Sequence, residues 1–191
     1  MRKLNVFINQ LKVGSLFEED DIWAFQYSEK WLHFMDRYPI CPQIPLQTEK
    51  QIDGSTKRYI QWFFDNLLPE EGARTLLARD IKIDEADSFG ILSITGAESA
   101  GAMTLLFSEN DNAKEGVNEL SYSELNSRIK SLPDIPLNNK ESKRMSIAGA
   151  QHKMLIIKHG DQLLEPVGAT PSSHILKPEH SKPELYWHTV R

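Results

Sequence analysis

A polar stretch from Ser108 to Gly116 carries no apolar periodicity and divides this chain of 191 residues into two patterned regions. A chain interrupted in this way must close a core on each side of the break, so a domain boundary is expected there. In the first region, Leu4, Val6 and Ile8 alternate with polar residues, as in a strand. Asn9-Gln10 turns it, and Lys12 to Leu16 pairs back as a hairpin. Ile22 to Tyr27 forms a third strand, and the acidic run Glu18 to Asp21 is expected to be a solvated loop. Ser28 caps a short helix through Trp31, Leu32 and Met35. Three prolines between Tyr38 and Leu46 keep that segment extended and out of a central strand.

Tyr59, Trp62, Phe63 and Asn66 recur at helical spacing until Pro69 breaks the run. The aromatics Tyr59, Trp62, Phe63 and Phe64 are expected in the core rather than in a base-stacking platform. Glu70 to Arg79 suits a second helix, with acids in its first turn, and Asp87 to Ile94 suits a third. Gly96 to Gly101 is a turn of small residues, and Ala102 to Phe107 closes the unit as a strand. Beyond the break, Ser121 or Ser123 caps a helix through Leu125, Ile129 and Leu132, which Pro133 and Pro136 end. Met145 to Ile157 and Gln162 to Pro166 are expected strands, hinged at His159-Gly160-Asp161. The fold class is α+β: residues 1–107 form a small sheet with short helices, 108–142 form a linker with one helix, and 143–191 begin a second sheet.

Hydrophobic residues make up 40% of the chain, enough for a real core, which excludes wholesale disorder. The net charge of −5 argues against a broad basic surface for direct contact with nucleic acid. One cysteine, Cys41, allows no internal disulfide and fits a reducing cytoplasm. The first residues alternate like a strand and not like a signal peptide. No apolar run approaches the ~20 residues of a membrane helix, so a cytoplasmic protein away from membranes is expected.

Chemistry concentrates in the second region. Ser146 to Lys153 is a loop of small residues around Gly149, able to bring backbone N–H groups close to an anion. From Lys140 to Lys158 there are five Lys or Arg and one acid, Glu141, which suits a polyphosphate. The same residues also suit an ordinary turn, since neither G-x-x-x-x-G-K-[ST] nor G-x-G-x-x-G is present. Lys177 follows the apolar pair Ile175-Leu176; it is either a strand lysine facing a bound phosphate or a solvated lysine at a strand end. Gly168 to Ser173 reads equally as a plain turn or as a hydroxyl-rich rim beside a phosphate. His174, His180 and His188 are spaced too loosely for a metal site, and no G-x-S-x-G marks a nucleophile.

Ser146-Ile-Ala-Gly-Ala-Gln-His-Lys153, Gly168-Ala-Thr-Pro-Ser-Ser-His-Ile-Leu-Lys177 and Phe63-Phe-Asp-Asn-Leu-Leu-Pro-Glu70 together resemble the HipA family. Val13-Gly-Ser-Leu16 and Gly96 to Met103 resemble that family's amino-terminal subdomain. HipA proteins are serine/threonine kinase toxins of bacterial toxin–antitoxin pairs, with an unusual kinase-like fold. The resemblance implies that residues 1–107 are the HipA-like amino-terminal subdomain and that 143–191 begin a kinase-like N-lobe sheet. It implies ATP contacts at Ala148, Gly149, Ala150, Gln151, His152 and Lys153, with Lys177 as the ATP lysine and Ser146 as the autophosphorylated serine. It implies a HipB-like helix-turn-helix antitoxin and a protein substrate, glutamyl-tRNA synthetase in the best-known case. The family's catalytic Asp, in a motif like Asp-Gly-His-x-x-Asn, and its Mg²⁺ ligands belong to a carboxy-terminal lobe, and Asp-Gly-His does not occur in these residues. Mg²⁺ is therefore expected only in the complete family enzyme. The expectation is the amino-terminal part of such a kinase, truncated, carrying half of the ATP site and inactive alone. The alternative is a free-standing regulatory or binding module that docks on a separate kinase lobe or on an antitoxin.

Overall fold

The computed structural model describes residues 1–98, 103–108, 115–131, 152–168 and 170–178. The chain opens with three antiparallel strands, β1 (Arg2–Ile8), β2 (Leu11–Glu19) and β3 (Ile22–Tyr27). Both hairpin loops have two residues, and both residues take positive φ: 47° and 68° at Asn9-Gln10, 50° and 61° at Asp20-Asp21. Such turns match the right-handed twist of the flanking strands, and Asn and Asp tolerate them best after glycine. The acidic run is therefore not one solvated loop. Glu18 and Glu19 end β2, and Glu18 is only 8% exposed. Its carboxylate accepts from Arg2 Nε at 2.6 Å, and the pairing of Arg2 with Glu18 in the β1–β2 register brings the two together.

Ser28 caps α1 (Glu29–His33), accepting from the Trp31 amide. The helix ends before Met35 because Phe34 is already extended, at φ −68° and ψ 135°. The two-residue strand β4 (Gln51–Ile52) adds to β3, and β5 (Met103–Leu106) adds to β1, giving the order β4-β3-β2-β1-β5. Between them lie α2 (Tyr59–Asp65), α3 (Glu71–Ile81), α4 (Ser88–Thr95) and a 3-10 turn (Gly96–Glu98). The carboxylate of Asp53 accepts from the amides of Ile60 and Gln61 at 2.9 and 2.8 Å, satisfying donors at the start of α2. Asp87 caps α4 and receives Arg2 Nη1 at 2.8 Å. Burial pushes its carboxyl upward, but the Arg2 guanidinium and the Gly90 amide outweigh this and hold it below its ordinary value.

Leu4, Leu16, Trp23, Phe25, Phe64, Leu68, Phe89, Leu92 and Leu105 are fully buried and form one core between sheet and helices. The aromatic segment is only partly in it. Ile60 and Phe64 are the inward face of α2, whereas Tyr59 and Trp62 are 44% and 61% exposed. Seven residues make only two turns, and the i, i+4 pair Ile60 and Phe64 takes the single buried stripe.

A second sheet has the order β6-β8-β7-β9, with β6 (Glu115–Glu119), β7 (Met154–His159), β8 (Gln162–Gly168) and β9 (His174–Leu176), all pairs antiparallel. Gly160, at φ 56°, turns β7 into β8. Helix α5 (Tyr122–Lys130), capped by Ser121, covers one face. Its Leu125 packs with Leu120, Met154, Ile156 and Leu163 in a separate small core. Residues 115–130, expected to belong to a linker, thus pair and pack with the second sheet. Leu132 and Met145 to Gln151 lie outside the described residues. Arg128 of α5 reaches Glu165 of β8 at 3.2 Å and Glu124 at 2.7 Å, and Glu165 is 2% exposed. Burial lowers the proton affinity of Arg128, and the two carboxylates outweigh it.

Candidate functional site

The second sheet has two unlike faces. Alternation puts Met154, Ile156, Leu163, Glu165 and Leu176 toward α5. The other face carries Leu155, Ile157 and Leu164, half-buried, with Ile175 57% exposed at its margin. The β7–β9 register pairs Met154 with Leu176 and Leu155 with Ile175. Lys153 immediately precedes β7 and Lys177 immediately follows β9, so both flank the same end of this strand pair.

The two lysines feel each other. Burial, first, and the charge of Lys177, second, lower the proton affinity of the Lys153 ammonium, while the Glu70 carboxylate opposes both. Lys153 is half-buried and Lys177 is exposed. Like charges held near each other disfavour their charged forms. An anion between them relieves that repulsion, and a phosphate can accept charge-assisted hydrogen bonds from both.

Of the residues singled out in the sequence, the structure thus brings Lys153 and Lys177 together, with His152 beside them just before β7. Ser146, Ala148, Gly149, Ala150 and Gln151 lie outside the described residues, as do His180 and His188. The hydroxyls after β8 have structural partners. Thr170 Oγ1 accepts from the Gly116 amide at 2.8 Å, and Ser173 Oγ accepts from the Lys158 amide at 2.9 Å. They tie the β8–β9 connection to β6 and β7. Among the described residues no three His, Cys, Asp or Glu side chains gather as a metal site would require, and no helix is long and apolar enough to cross a membrane. Sequence reasoning missed that the charge of Glu70 acts on Lys153. The only signal was its place at the end of the Phe63–Glu70 motif.

An α+β unit with helices packed on a five-stranded sheet, continued by a small antiparallel sheet that presents two lysines, defines the structural class. Residues 4–106 match the family model described as the HipA N-terminal domain. The chain belongs to the HipA family. It is 31% identical over 187 residues to Y4mE, a candidate kinase of Sinorhizobium fredii, covering 93% of this chain and 43% of that protein. It is 27% identical over 178 residues to the serine/threonine-protein kinase toxin HipA of Shewanella oneidensis, covering 91% of this chain and 39% of that one. Among solved structures it is similar to a chain of the Shewanella oneidensis HipA, HipB and operator DNA complex, with a TM-score of 0.71 and 25% identity, over 94% of this chain and 41% of that one. The chain thus spans about two fifths of the length of these relatives.

Proposed function

We propose that this chain is the amino-terminal part of a HipA-type serine/threonine kinase toxin and that Lys153 and Lys177 hold the phosphates of ATP. The observation that carries this reading is the β7–β9 pairing, whose common end is flanked by Lys153 and Lys177, close enough for the charge of Lys177 to act on Lys153. The residues fit the ligand: the lysines suit a polyphosphate, and Leu155, Ile157 and Ile175 offer a surface for a flat base. ATP would supply the phosphoryl group to be transferred. In this reading the two ammonium groups bind and orient it, and the motif from Ala148 to Lys153, as the family resemblance implies, contributes further phosphate contacts. Mg²⁺ and the catalytic Asp belong, in this reading, to the carboxy-terminal lobe of the complete enzyme. Ser146 as a phosphorylation site rests on the motif alone.

The solved relative is in complex with HipB and its operator DNA. A HipB-like antitoxin is accordingly the partner we propose here. That assembly contains DNA, so the acidic composition does not by itself keep this chain away from DNA-bound complexes.

The test is binding of ATP to the purified chain, measured by calorimetry. Lys153→Ala and Lys177→Ala should each weaken binding by roughly ten-fold or more, because a hydrogen bond to a charged group contributes about 1.5–3 kcal/mol. Equal affinity in the parent and both variants would reject the assignment.

A further inference from the structure

Helix α2 turns two aromatic side chains outward. Ile60 and Phe64 fill the first core, which leaves Tyr59 and Trp62, three residues apart and neighbours on the helix surface, exposed. They form one wall of an open cleft of about 570 Å³, completed by Gln43, Thr56, Lys57 and Arg58. The cleft is built on fixed parts. The Asp53 carboxylate holds the first amides of α2, and Arg58 Nη1 donates to Asp21 Oδ2 and to Gln61 Oε1, both at 2.8 Å. The Tyr27 hydroxyl ties down Ile40 and Ile44, on either side of Gln43 in the chain. Cys41 Sγ donates to Gln43 Oε1, which leaves the amide nitrogen of Gln43 to donate elsewhere.

The polar groups of the cleft are mostly of one kind. The Lys57 ammonium, the Gln43 amide nitrogen and the Trp62 indole N–H only donate, and the Thr56 hydroxyl donates as readily as it accepts. Lys57 is exposed, and among the described residues no carboxylate pairs with it. Donors beside an aromatic wall suit a ligand with an apolar body and a negative charge. A nucleic-acid strand has both, but its backbone calls for a row of cations. Here Arg58 is already paired with Asp21, whose carboxylate is 72% exposed beside it and repels phosphate. One unpaired ammonium remains, which matches one carboxylate.

We propose that this cleft docks a peptide segment of a partner protein that presents an apolar or aromatic side chain next to a carboxylate. The side chain lies against Trp62 and Tyr59, and the carboxylate accepts from Lys57 and Gln43. Trp and Tyr are the residues that most often dominate interface energetics, and a wall already held in place loses little freedom on binding. The surface belongs to the amino-terminal unit and uses neither Lys153 nor Lys177, so it stands apart from the nucleotide site.

The test is selection of random peptides displayed on phage against the full chain, followed by titration of the enriched peptides, fluorescein-labelled, by polarisation. We expect enriched sequences to set Asp or Glu beside an aromatic or aliphatic residue. Trp62→Ala should weaken their binding by roughly ten-fold or more. Lys57→Ala should weaken it by about two- to five-fold, an effect that added salt erases. Both side chains are exposed, so both variants should keep the urea midpoint of the parent. No enriched binder, binders without a carboxylate, or binders indifferent to both substitutions would overturn the proposal. Binding of an oligothymidylate strand that Trp62→Ala abolishes, with no peptide bound, would overturn it in favour of a nucleic-acid surface. A parent that sediments as a dimer and becomes a monomer in Trp62→Ala would overturn it in favour of a contact between copies of this chain.

Discussion

Gly14 shows how much one side chain decides in the first sheet. It lies in β2 opposite Val6 on one side and Tyr27 on the other. A Cβ built there would stand 2.3 Å from the Gln26 carbonyl oxygen and 2.6 Å from Phe25 Cζ. The first contact is with backbone and cannot swing away, and the second ring is itself fully buried against Tyr27 and Phe64. Gly14→Ala should therefore destabilise the protein by about 1–3 kcal/mol, the usual cost of overpacking a filled site. Urea unfolding should show a lower midpoint with an unchanged slope. An unchanged midpoint would mean that β2 and β3 part freely at this point. Glu18 makes the complementary case. In the sequence it is one of four acids in a row and reads as solvated, but its partner Arg2 is sixteen residues away. Only the hairpin register reveals that pairing.

At the scale of elements, the local signals were the legible ones. Alternation located β1, β2 and β3, Ser28 and Ser121 marked their helices, and Pro69 ended the apolar run after α2. The side of α2 that faces inward was not legible, because four aromatics in six residues offer more than one apolar stripe. Strand β6 was not legible either. Glu115-Gly-Val-Asn-Glu119 has one large apolar residue and is defined by its pairing with β8. The paired lysines were visible as separate motifs, and their juxtaposition needed the β7–β9 register. The proline-rich segment after α1 has a further anchor that no pattern announces. The buried Tyr27 hydroxyl donates to the Ile44 carbonyl at 2.6 Å and accepts from the Ile40 amide at 3.0 Å. Tyr27→Phe leaves the carbonyl of fully buried Ile44 without this donor and should cost about 1–3 kcal/mol. A pH dependence accompanies it. Burial pushes the Tyr27 phenol up to about 12, partly offset by the Ile40 amide, from the ordinary 10.0. The folded state thus holds this proton more tightly than the unfolded chain. The associated stability is complete below pH 10 and is lost as pH rises through about 12. Stability measured across that interval should fall more steeply in the parent than in Tyr27→Phe, and parallel profiles would remove Tyr27 as the source.

At the scale of the whole molecule, the two cores share no residue. One gathers side chains from Leu4 to Leu105, the other from Leu120 to Leu176. The first is large, with the fully buried aromatics Trp23, Phe25, Trp31, Phe64 and Phe89 in it and a five-stranded sheet beneath. It also needs its last strand. Leu105 of β5 is buried against Gly96, whose missing side chain leaves room for it: a Cβ there would come within 2.7 Å of Leu105 Cβ. Asn5 Nδ2 donates to the Phe107 carbonyl at 3.0 Å, closing the β1–β5 pair at its end. We therefore propose that the amino-terminal unit folds alone when it includes β5 and fails without it. A chain ending at Ser108 should unfold in one cooperative transition and keep the near-ultraviolet dichroism of its buried Trp23 and Trp31. A chain ending at Glu98 lacks Leu105 and leaves β1 as an unpaired edge, so it should aggregate or lose that signal. If the longer chain also lacks a cooperative transition, the first core depends on the second sheet. If the shorter chain folds as well as the longer, β5 is an accessory strand and the boundary of the unit lies before Met103.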